Sequence, residues 1–272
     1  MHCYAIYRDE RFSPNSVERD KAIMDAVCAR LSPEYHITKV AEKEVCTSLK
    51  ACHEEHPLIL SMARSREALT VLLLQQRQGA RILNRPDQLL KQSRSTIDRL
   101  MRENGIPCAP LQGTDGWWIK RGDEAAQEKG DVMFAADASD RDRITMEFRR
   151  RGITDIVTTA HVAGDLVKFY GVNGTDFFHI TYPTDSGFSK FGDEQRNGTP
   201  LYTPFDETAL KRHATQLATL TGIDIYGGDC IVRADGSYAV IDFNDWPSFS
   251  PCRKEAAKAI ARSLDAAAKG GN

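Results

Sequence analysis

The chain has 272 residues, of which 27% are charged, and a formal net charge of −2. This balance does not favour nucleic acid as the main partner, and no apolar run is long enough to span a bilayer. The first residues lack the basic segment and long apolar core of a signal peptide. The seven cysteines include no C-x-x-C pair, which argues against a zinc site or a disulfide framework. These features predict a cytoplasmic globular protein with reduced thiols.

Apolar runs alternate with helical patterns over the first 85 residues. The predicted strands are residues 3–8, 35–40, 58–62 and 80–83. Apolar residues at helical spacing between these runs predict intervening helices. Strands that alternate with helices predict a parallel sheet covered by helices on both faces. The segment contains no G-x-G-x-x-G sequence, so a dinucleotide-binding role is not supported.

Two loops of this predicted sheet are candidates for substrate binding. Ligands of open α/β sheets collect beyond the carboxyl ends of the strands. The loops at residues 8–15 and 63–65 follow the first and third predicted strands. Arg64 is therefore a candidate to hold an acceptor substrate. The alternative is that Arg64 is an ordinary residue of a surface loop.

A helix is predicted over residues 88–103, after the first sheet. Gly105 is a favourable helix stop, and Pro107 cannot continue the helix. The helix carries several cations, including Arg94. These cations could bind an anion or could form a solvated helix face.

Two lysines lie in apolar strands of the second half. Lys120 ends the strand predicted over residues 116–120, and Lys168 lies inside the strand predicted over residues 164–172. A lysine within an apolar strand is costly unless it is paired. At a strand end, its ammonium group suits phosphate as a compact point charge.

A long polar loop at residues 183–203 carries Lys190 and Arg196. Loops of this length inside a compact domain are typical of lids or of disordered segments. As a lid, the loop would close over a substrate and exclude water. Lys190 and Arg196 are then candidate substrate ligands.

The segment over residues 227–249 predicts a hairpin. Its central Asp235-Gly236 pair is the one that a two-residue type I′ turn prefers. Such a turn pairs Ala234 with Ser237 and fixes the register of both strands.

This register brings two acids together. Asp229 lies opposite Asp242, and Asn244 shares their face, whereas Ile241 points to the other face. Opposed carboxylates repel, and a hard divalent cation would compensate. An all-oxygen set of this kind suits Mg²⁺ bound together with phosphates. The alternative is a surface hairpin with solvated acids.

The hairpin resembles the metal-binding end of the ATP-grasp superfamily, in which an acid on one strand precedes an acid-x-Asn sequence on the next. The Ile-Asp-Phe-Asn sequence followed by Pro247 is especially similar to the inositol-phosphate kinases of that superfamily. Five segments match in the same order. The resemblance implies an α/β (α+β) ATP-grasp fold with an N-terminal Rossmann-like pre-ATP-grasp domain. The implied divisions are residues 1–85, a central subdomain at 86–160, and a C-terminal subdomain with the metal site at 161–272.

The resemblance also implies ATP and one or two Mg²⁺ ions as cofactors. The implied metal ligands are Asp229, Asp242 and Asn244. The implied ATP-binding residues are Arg94, Lys120, Thr159, Ala160 and His161. Arg94 stands where relatives have a lysine, and the hinge at residues 153–163 lacks the usual glutamate, although backbone groups of any hinge residue can bind adenine. The implied catalytic residue is Lys168; the loop position described above adds Arg64, and the lid hypothesis adds Arg196.

The resemblance predicts a ligase that joins a carboxylate to an amine through an acyl phosphate. One alternative is a kinase that phosphorylates a hydroxyl group of a small molecule. Another is an ATP-binding module without catalysis. The expected partner is a small-molecule or peptide acceptor, without nucleic acid or membrane, and a homodimer is a candidate assembly.

Overall fold

The fold is given by a computed structural model of the chain. The structure describes residues 2–31, 33–49, 56–123, 128–183 and 196–269. Within these residues, no helix is both long and apolar enough to cross a membrane.

A four-stranded parallel sheet forms the N-terminal part, in the order β2-β1-β3-β4. Its strands are β1 (His2–Tyr7), β2 (His36–Ala41), β3 (Leu58–Ser61) and β4 (Arg81–Leu83). Its helices are α1 (Val17–Leu31), the single turn α2 (Val45–Ser48) and α3 (Arg66–Arg77). The predicted parallel sheet is confirmed.

Side chains that alternate along β1 cover the sheet on both faces. Cys3 and Ala5 pack in one buried cluster with α1, whereas Tyr4 and Ile6 pack in another cluster with α3. This two-residue period is what places one helix on each side of the sheet.

The middle of the chain forms a three-stranded antiparallel sheet in the order β6-β5-β7. Its strands are β5 (Trp117–Arg121), β6 (Val132–Ala135) and β7 (Ile156–Ala160). The helices of this part are α4 (Pro86–Leu89), α5 (Arg94–Glu103) and α6 (Ala138–Arg150). Ile144 and Phe148 of α6 pack on Ile119 of β5.

The prediction of one continuous helix over residues 88–103 is wrong. The structure has two helices, because Ser93 starts the second one as its N-cap. The Ser93 side chain accepts a hydrogen bond from the N–H of Thr96, which satisfies a donor that the first helical turn leaves free. Arg94 is therefore the first residue of α5.

The C-terminal part is a four-stranded antiparallel sheet in the order β11-β10-β8-β9. Its strands are β8 (Asp165–Val172), β9 (Phe178–Thr181), β10 (Ile225–Val232) and β11 (Tyr238–Asp245). The helix α7 (Glu207–Thr221) packs on this sheet, and α8 (Arg253–Lys269) packs in the cluster that contains α1. The last helix thus returns to the N-terminal sheet, and the division of the chain at residues 85 and 160 stays a prediction.

The hairpin of β10 and β11 turns through three residues rather than two. The N–H of Arg233 donates to the carbonyl of Ser237 at 2.8 Å, and Gly236 has a φ of 80°. The predicted type I′ turn is therefore wrong. Gly236 takes the left-handed position that closes a three-residue loop.

A β-bulge restores the predicted pairing of the acids. The register shifts between Asp229 and Cys230, so Asp229 still lies opposite Asp242. The extra residue of the bulge is Ile241. It packs with the buried cluster around Ile231, on the side of the acids, so the prediction that Ile241 points away from them is wrong.

A buried asparagine joins the N-terminal and C-terminal sheets. Asn84 follows β4 directly and is 0% exposed. Its Oδ1 accepts the N–H of Asp224 at 2.8 Å and of Ile225 at 2.7 Å. Its Nδ2 donates to the carbonyl of Ile225 at 3.0 Å. Asn84 therefore holds the end of β4 against the start of β10.

We expect the substitution Asn84→Leu to destabilise the fold, because it leaves the N–H groups of Asp224 and Ile225 without a hydrogen-bond partner. Each such group costs about 1–3 kcal/mol, so the free energy of unfolding should fall by about 3 kcal/mol. Urea denaturation measures the change. Asn104→Ala, at the exposed end of α5, is the control and should cost about 0.5 kcal/mol. An unchanged midpoint for Asn84→Leu would contradict this role.

Candidate nucleotide and metal site

A cleft runs between the central sheet and the C-terminal sheet. It consists of two adjoining cavities of about 350 Å³ and about 550 Å³. Both are lined by Arg94, Lys120, Asp242 and Asn244. The smaller cavity extends to the hinge at the end of β7, and the larger one extends towards the start of α3. These four residues therefore lie where the two cavities meet, whereas Asp229, the third predicted metal ligand, lines only the smaller cavity.

Each of the two facing acids has a cation of its own. The Nζ of Lys168 lies 3.1 Å from Oδ1 of Asp229, and Nη2 of Arg94 lies 3.9 Å from Oδ1 of Asp242. Lys168 is the residue of β8 that pairs with Asp229 of β10. The protein thus offsets the repulsion between the acids with its own side chains, and the pairing of the acids does not by itself require a metal.

Asn244 fixes the orientation of Asp242. Its Nδ2 donates to Oδ2 of Asp242 at 3.0 Å, which turns the amide oxygen of Asn244 away from that carboxylate. Burial raises the pKa of Asp242, but the charges of Arg94 and Lys120 outweigh this effect, so the pKa is lowered and the group is ionised.

The chemistry of these ligands fits magnesium with phosphates. Two carboxylates and an amide oxygen are the hard donors that Mg²⁺ prefers, and Mg²⁺ usually keeps phosphate and water ligands as well. In the described part of the chain, no three His, Cys, Asp or Glu side chains lie close enough together to form a metal site by themselves. The protein alone therefore supplies only part of a coordination shell, which leaves room for substrate oxygens.

Two cations flank Asp242. The Nζ of Lys120 donates to the carbonyl of Ile241 at 2.9 Å, and burial lowers the pKa of Lys120. Nη1 of Arg94 donates to the carbonyl of Arg121 at 2.7 Å, and its buried Nε has no partner among the described residues. An unpaired buried donor beside a lysine is a suitable environment for phosphate oxygens.

The predicted hinge residues Thr159, Ala160 and His161 line the smaller cavity. The N–H of Ala160 donates to the carbonyl of Pro110 at 2.7 Å, and the N–H of His161 donates to the carbonyl of Gly116 at 2.8 Å. These two backbone donors are therefore occupied within the protein. They are not free to bind adenine, and the prediction that other backbone groups of the hinge do so stays a prediction.

Trp118 lines the cleft beside the hinge, and Phe134 packs against it. The ring centres of Trp118 and Phe134 are 5.3 Å apart, and Nε1 of Trp118 donates to Nδ1 of His161 at 3.2 Å. The guanidinium of Arg196 lies 3.7 Å from the ring centre of Phe134, within the range of a cation–π contact. Arg196 therefore lies beside the hinge. Lys190, the other predicted lid residue, lies outside the described residues.

Arg64 is held by an acid that sequence reasoning missed. Its Nη2 lies 2.7 Å from Oδ1 of Asp245, and Nη2 of Arg8 lies 3.2 Å from Oδ2 of the same carboxylate. Arg8 also pairs with Asp20 at 3.2 Å. Burial raises the pKa of Asp245, but Arg64 and Arg8 outweigh it, so the pKa is lowered.

One signal could have found this network. Arg8 and Arg64 both follow strands of the parallel sheet at its carboxyl edge, where Glu42 after β2 also lies. The carboxylate of Glu42 accepts the N–H of Asp9 at 2.7 Å and of Arg64 at 2.9 Å. The residues after β1, β2 and β3 thus contact one another, and those after β1 and β3 also contact the end of β11.

Comparison with known proteins identifies the fold of this chain through solved structures. No family model matches the sequence, and no curated protein matches it. Solved structures do match. The D-alanyl-alanine synthetase A of Vibrio cholerae superposes on this chain with a TM-score of 0.67 at 9% sequence identity. The superposition covers 97% of each chain.

Two further structures carry the superfamily name. A RimK domain ATP-grasp protein from Sphaerobacter thermophilus has a TM-score of 0.63 at 15% identity, with 96% of this chain and 98% of that chain covered. The ATP-grasp ligase PsnB, solved with a minimal precursor, has a TM-score of 0.62 at 14% identity, with 97% and 98% covered. The likeness extends over nearly the whole chain, and it confirms the predicted architecture: this chain has the ATP-grasp fold.

Proposed function

We propose that this protein is a Mg²⁺- and ATP-dependent ligase that joins a carboxylate to an amine through an acyl phosphate. The observation that carries the proposal is the opposition of Asp229 and Asp242 beside Asn244, within reach of two largely buried cations. The fold of known ATP-grasp ligases supports it. Bound Mg-ATP would supply the phosphoryl group and the metal charge.

The residues of the cleft divide into two groups. Asp229, Asp242 and Asn244 would hold one or two Mg²⁺ ions. Arg94 and Lys120 would bind and orient the phosphates, since the charges of both act on Asp242. Transfer of this kind depends on positioning and on electrostatic stabilisation rather than on a protein nucleophile.

The acceptor end is proposed to lie around Lys168. Its ammonium group is 3.1 Å from Asp229, so it stands at the metal end of the cleft, where an acceptor must arrive. Arg64, by contrast, donates three hydrogen bonds to Asp245. We therefore assign Arg64 to positioning the acceptor loops, and Arg196, which lies beside the hinge, to the nucleotide end of the cleft.

A substrate screen tests this function. Similar structures include D-alanine ligases and a PsnB complex with a precursor peptide, so amino acids and short peptides are the first acceptors to try. We expect ADP and free phosphate to form only when a carboxylate and an amine are both present. Phosphate retained on a hydroxyl group would indicate the kinase alternative. ATP binding without turnover on any substrate would indicate a non-catalytic module.

The variant Asp242→Asn tests the metal site. The loss of one carboxylate charge should lower the Mg²⁺-dependent affinity for ATP about tenfold or more, which corresponds to about 1.4 kcal/mol. Calorimetric titration with and without Mg²⁺ measures it. Asp235→Asn is the matched control, because Asp235 is an exposed acid in the loop of the same hairpin. Unchanged Mg²⁺ dependence in Asp242→Asn would argue against this carboxylate as a ligand.

Lys120 makes nucleotide binding sensitive to alkaline pH. Because burial lowers the pKa of Lys120, its positive charge is present at low pH and is lost at a lower pH than that of an ordinary lysine. We expect ATP affinity to fall as pH rises through that lowered pKa. In Lys120→Arg the charge persists, so this fall should disappear, whereas the exposed Lys258→Arg should behave as the wild type. Identical pH profiles for all three proteins would remove Lys120 from the site.

A further inference from the structure

The hinge end of the cleft must recognise a base without two of its backbone donors. The N–H groups of Ala160 and His161 are both bonded to carbonyls of the protein. If a nucleotide binds as proposed above, side chains at this end can replace these two donors and add to the remaining backbone groups of the hinge. Two side chains that line the cavity there, His161 and Asn197, have the necessary groups.

The tautomer of His161 is fixed by its neighbour. The indole N–H of Trp118 can only donate a hydrogen bond, and it points at Nδ1 of His161 at 3.2 Å. Nδ1 therefore accepts, and the neutral ring carries its proton on Nε2. Burial and the nearby Arg196 lower the pKa of His161, which favours this neutral form. His161 thus offers one donor, Nε2–H, and cannot exchange it for an acceptor.

Asn197 offers the complementary group. Its Oδ1 is buried and has no hydrogen-bond partner among the described residues. A buried unpaired oxygen in a native structure calls for an explanation. A donor on a ligand in this cavity would satisfy it. The preceding residue, Arg196, stacks on Phe134, and Phe134 packs on Trp118, which lines the cavity.

We propose that Asn197 and His161 read the base of the bound nucleotide and select a 6-aminopurine. This inference rests on the proposed nucleotide site. Asn197 Oδ1 accepts a hydrogen bond from the 6-amino group, and Nε2–H of His161 donates to ring nitrogen N1. A 6-oxopurine reverses both positions, with an acceptor at C6 and a proton on N1. Asn197 alone could rotate its amide, but Trp118 keeps His161 a donor.

Base analogues test the contact to Asn197. The probes are ATP and the triphosphate of purine riboside, which lacks only the 6-amino group, titrated calorimetrically with Mg²⁺. Loss of one neutral hydrogen bond should lower the affinity of the wild type about 3- to 10-fold. In Asn197→Ala, removal of the 6-amino group should lower the affinity by less than about 2-fold, because its hydrogen-bond acceptor is already absent. Asn104→Ala, the same change on an exposed helix end, should respond as the wild type. Equal losses in Asn197→Ala and the wild type would overturn the role of Asn197.

A second pair tests His161. The analogue 1-deaza-ATP should bind the wild type about 3- to 10-fold more weakly than ATP, and it should bind His161→Phe as well as ATP does. Equal penalties in both proteins would overturn the contact to N1. If ATP and inosine triphosphate bind the wild type equally well, the base-reading proposal alone fails. If no nucleotide binds at all, the proposed function fails with it.

Discussion

Two carboxylates face each other across β10 and β11, and the cleft is organised around their repulsion. Like charges opposite each other on paired strands weaken a sheet. Lys168 approaches Asp229 from the neighbouring strand, and Arg94 approaches Asp242 from the start of α5. The protein therefore balances both acids before any ligand arrives. A bound metal ion would instead offset the charges of the two acids. Lys168 and Arg94, which now pair with the acids, would then be available to the phosphates and the substrate.

The same hairpin is tied to the N-terminal sheet one residue further on. Asp245 lies between Arg8 and Arg64, and the Arg8 side chain is only 5% exposed. Removing one partner of such a buried pair typically costs about 3–5 kcal/mol, because a charge is left uncompensated. The loops at the carboxyl edge of the parallel sheet and strand β11 are thereby held as one unit. That arrangement suits a reaction in which an acceptor and a phosphate must meet in one geometry.

Local patterns predicted the sheets, whereas long-range contacts and loop geometry were not readable. Apolar periodicity depends on neighbouring residues, so the parallel sheet and the hairpin strands were found. Asp235-Gly236 suits either a two- or a three-residue loop, and the wrong choice was cancelled only by the bulge at Ile241. Arg8 and Asp245 are 237 residues apart; the strand ends indicate where Arg8 lies, but nothing in the sequence indicates that Asp245 is its partner. The N–H groups of Ala160 and His161 bond to carbonyls far earlier in the chain, and a local sequence pattern does not reveal such partners.

A crystal structure with Mn²⁺ and a non-hydrolysable ATP analogue tests the metal site most directly, because the anomalous signal of Mn²⁺ locates the ion independently of the protein. We expect the ion to lie within about 2.0–2.3 Å of oxygens from Asp242 and Asn244 and of the phosphates, as oxygen ligation of such an ion requires. An ion bound by phosphates elsewhere in the cleft, with Asp229 and Asp242 still paired to Lys168 and Arg94, would contradict the assignment of these residues.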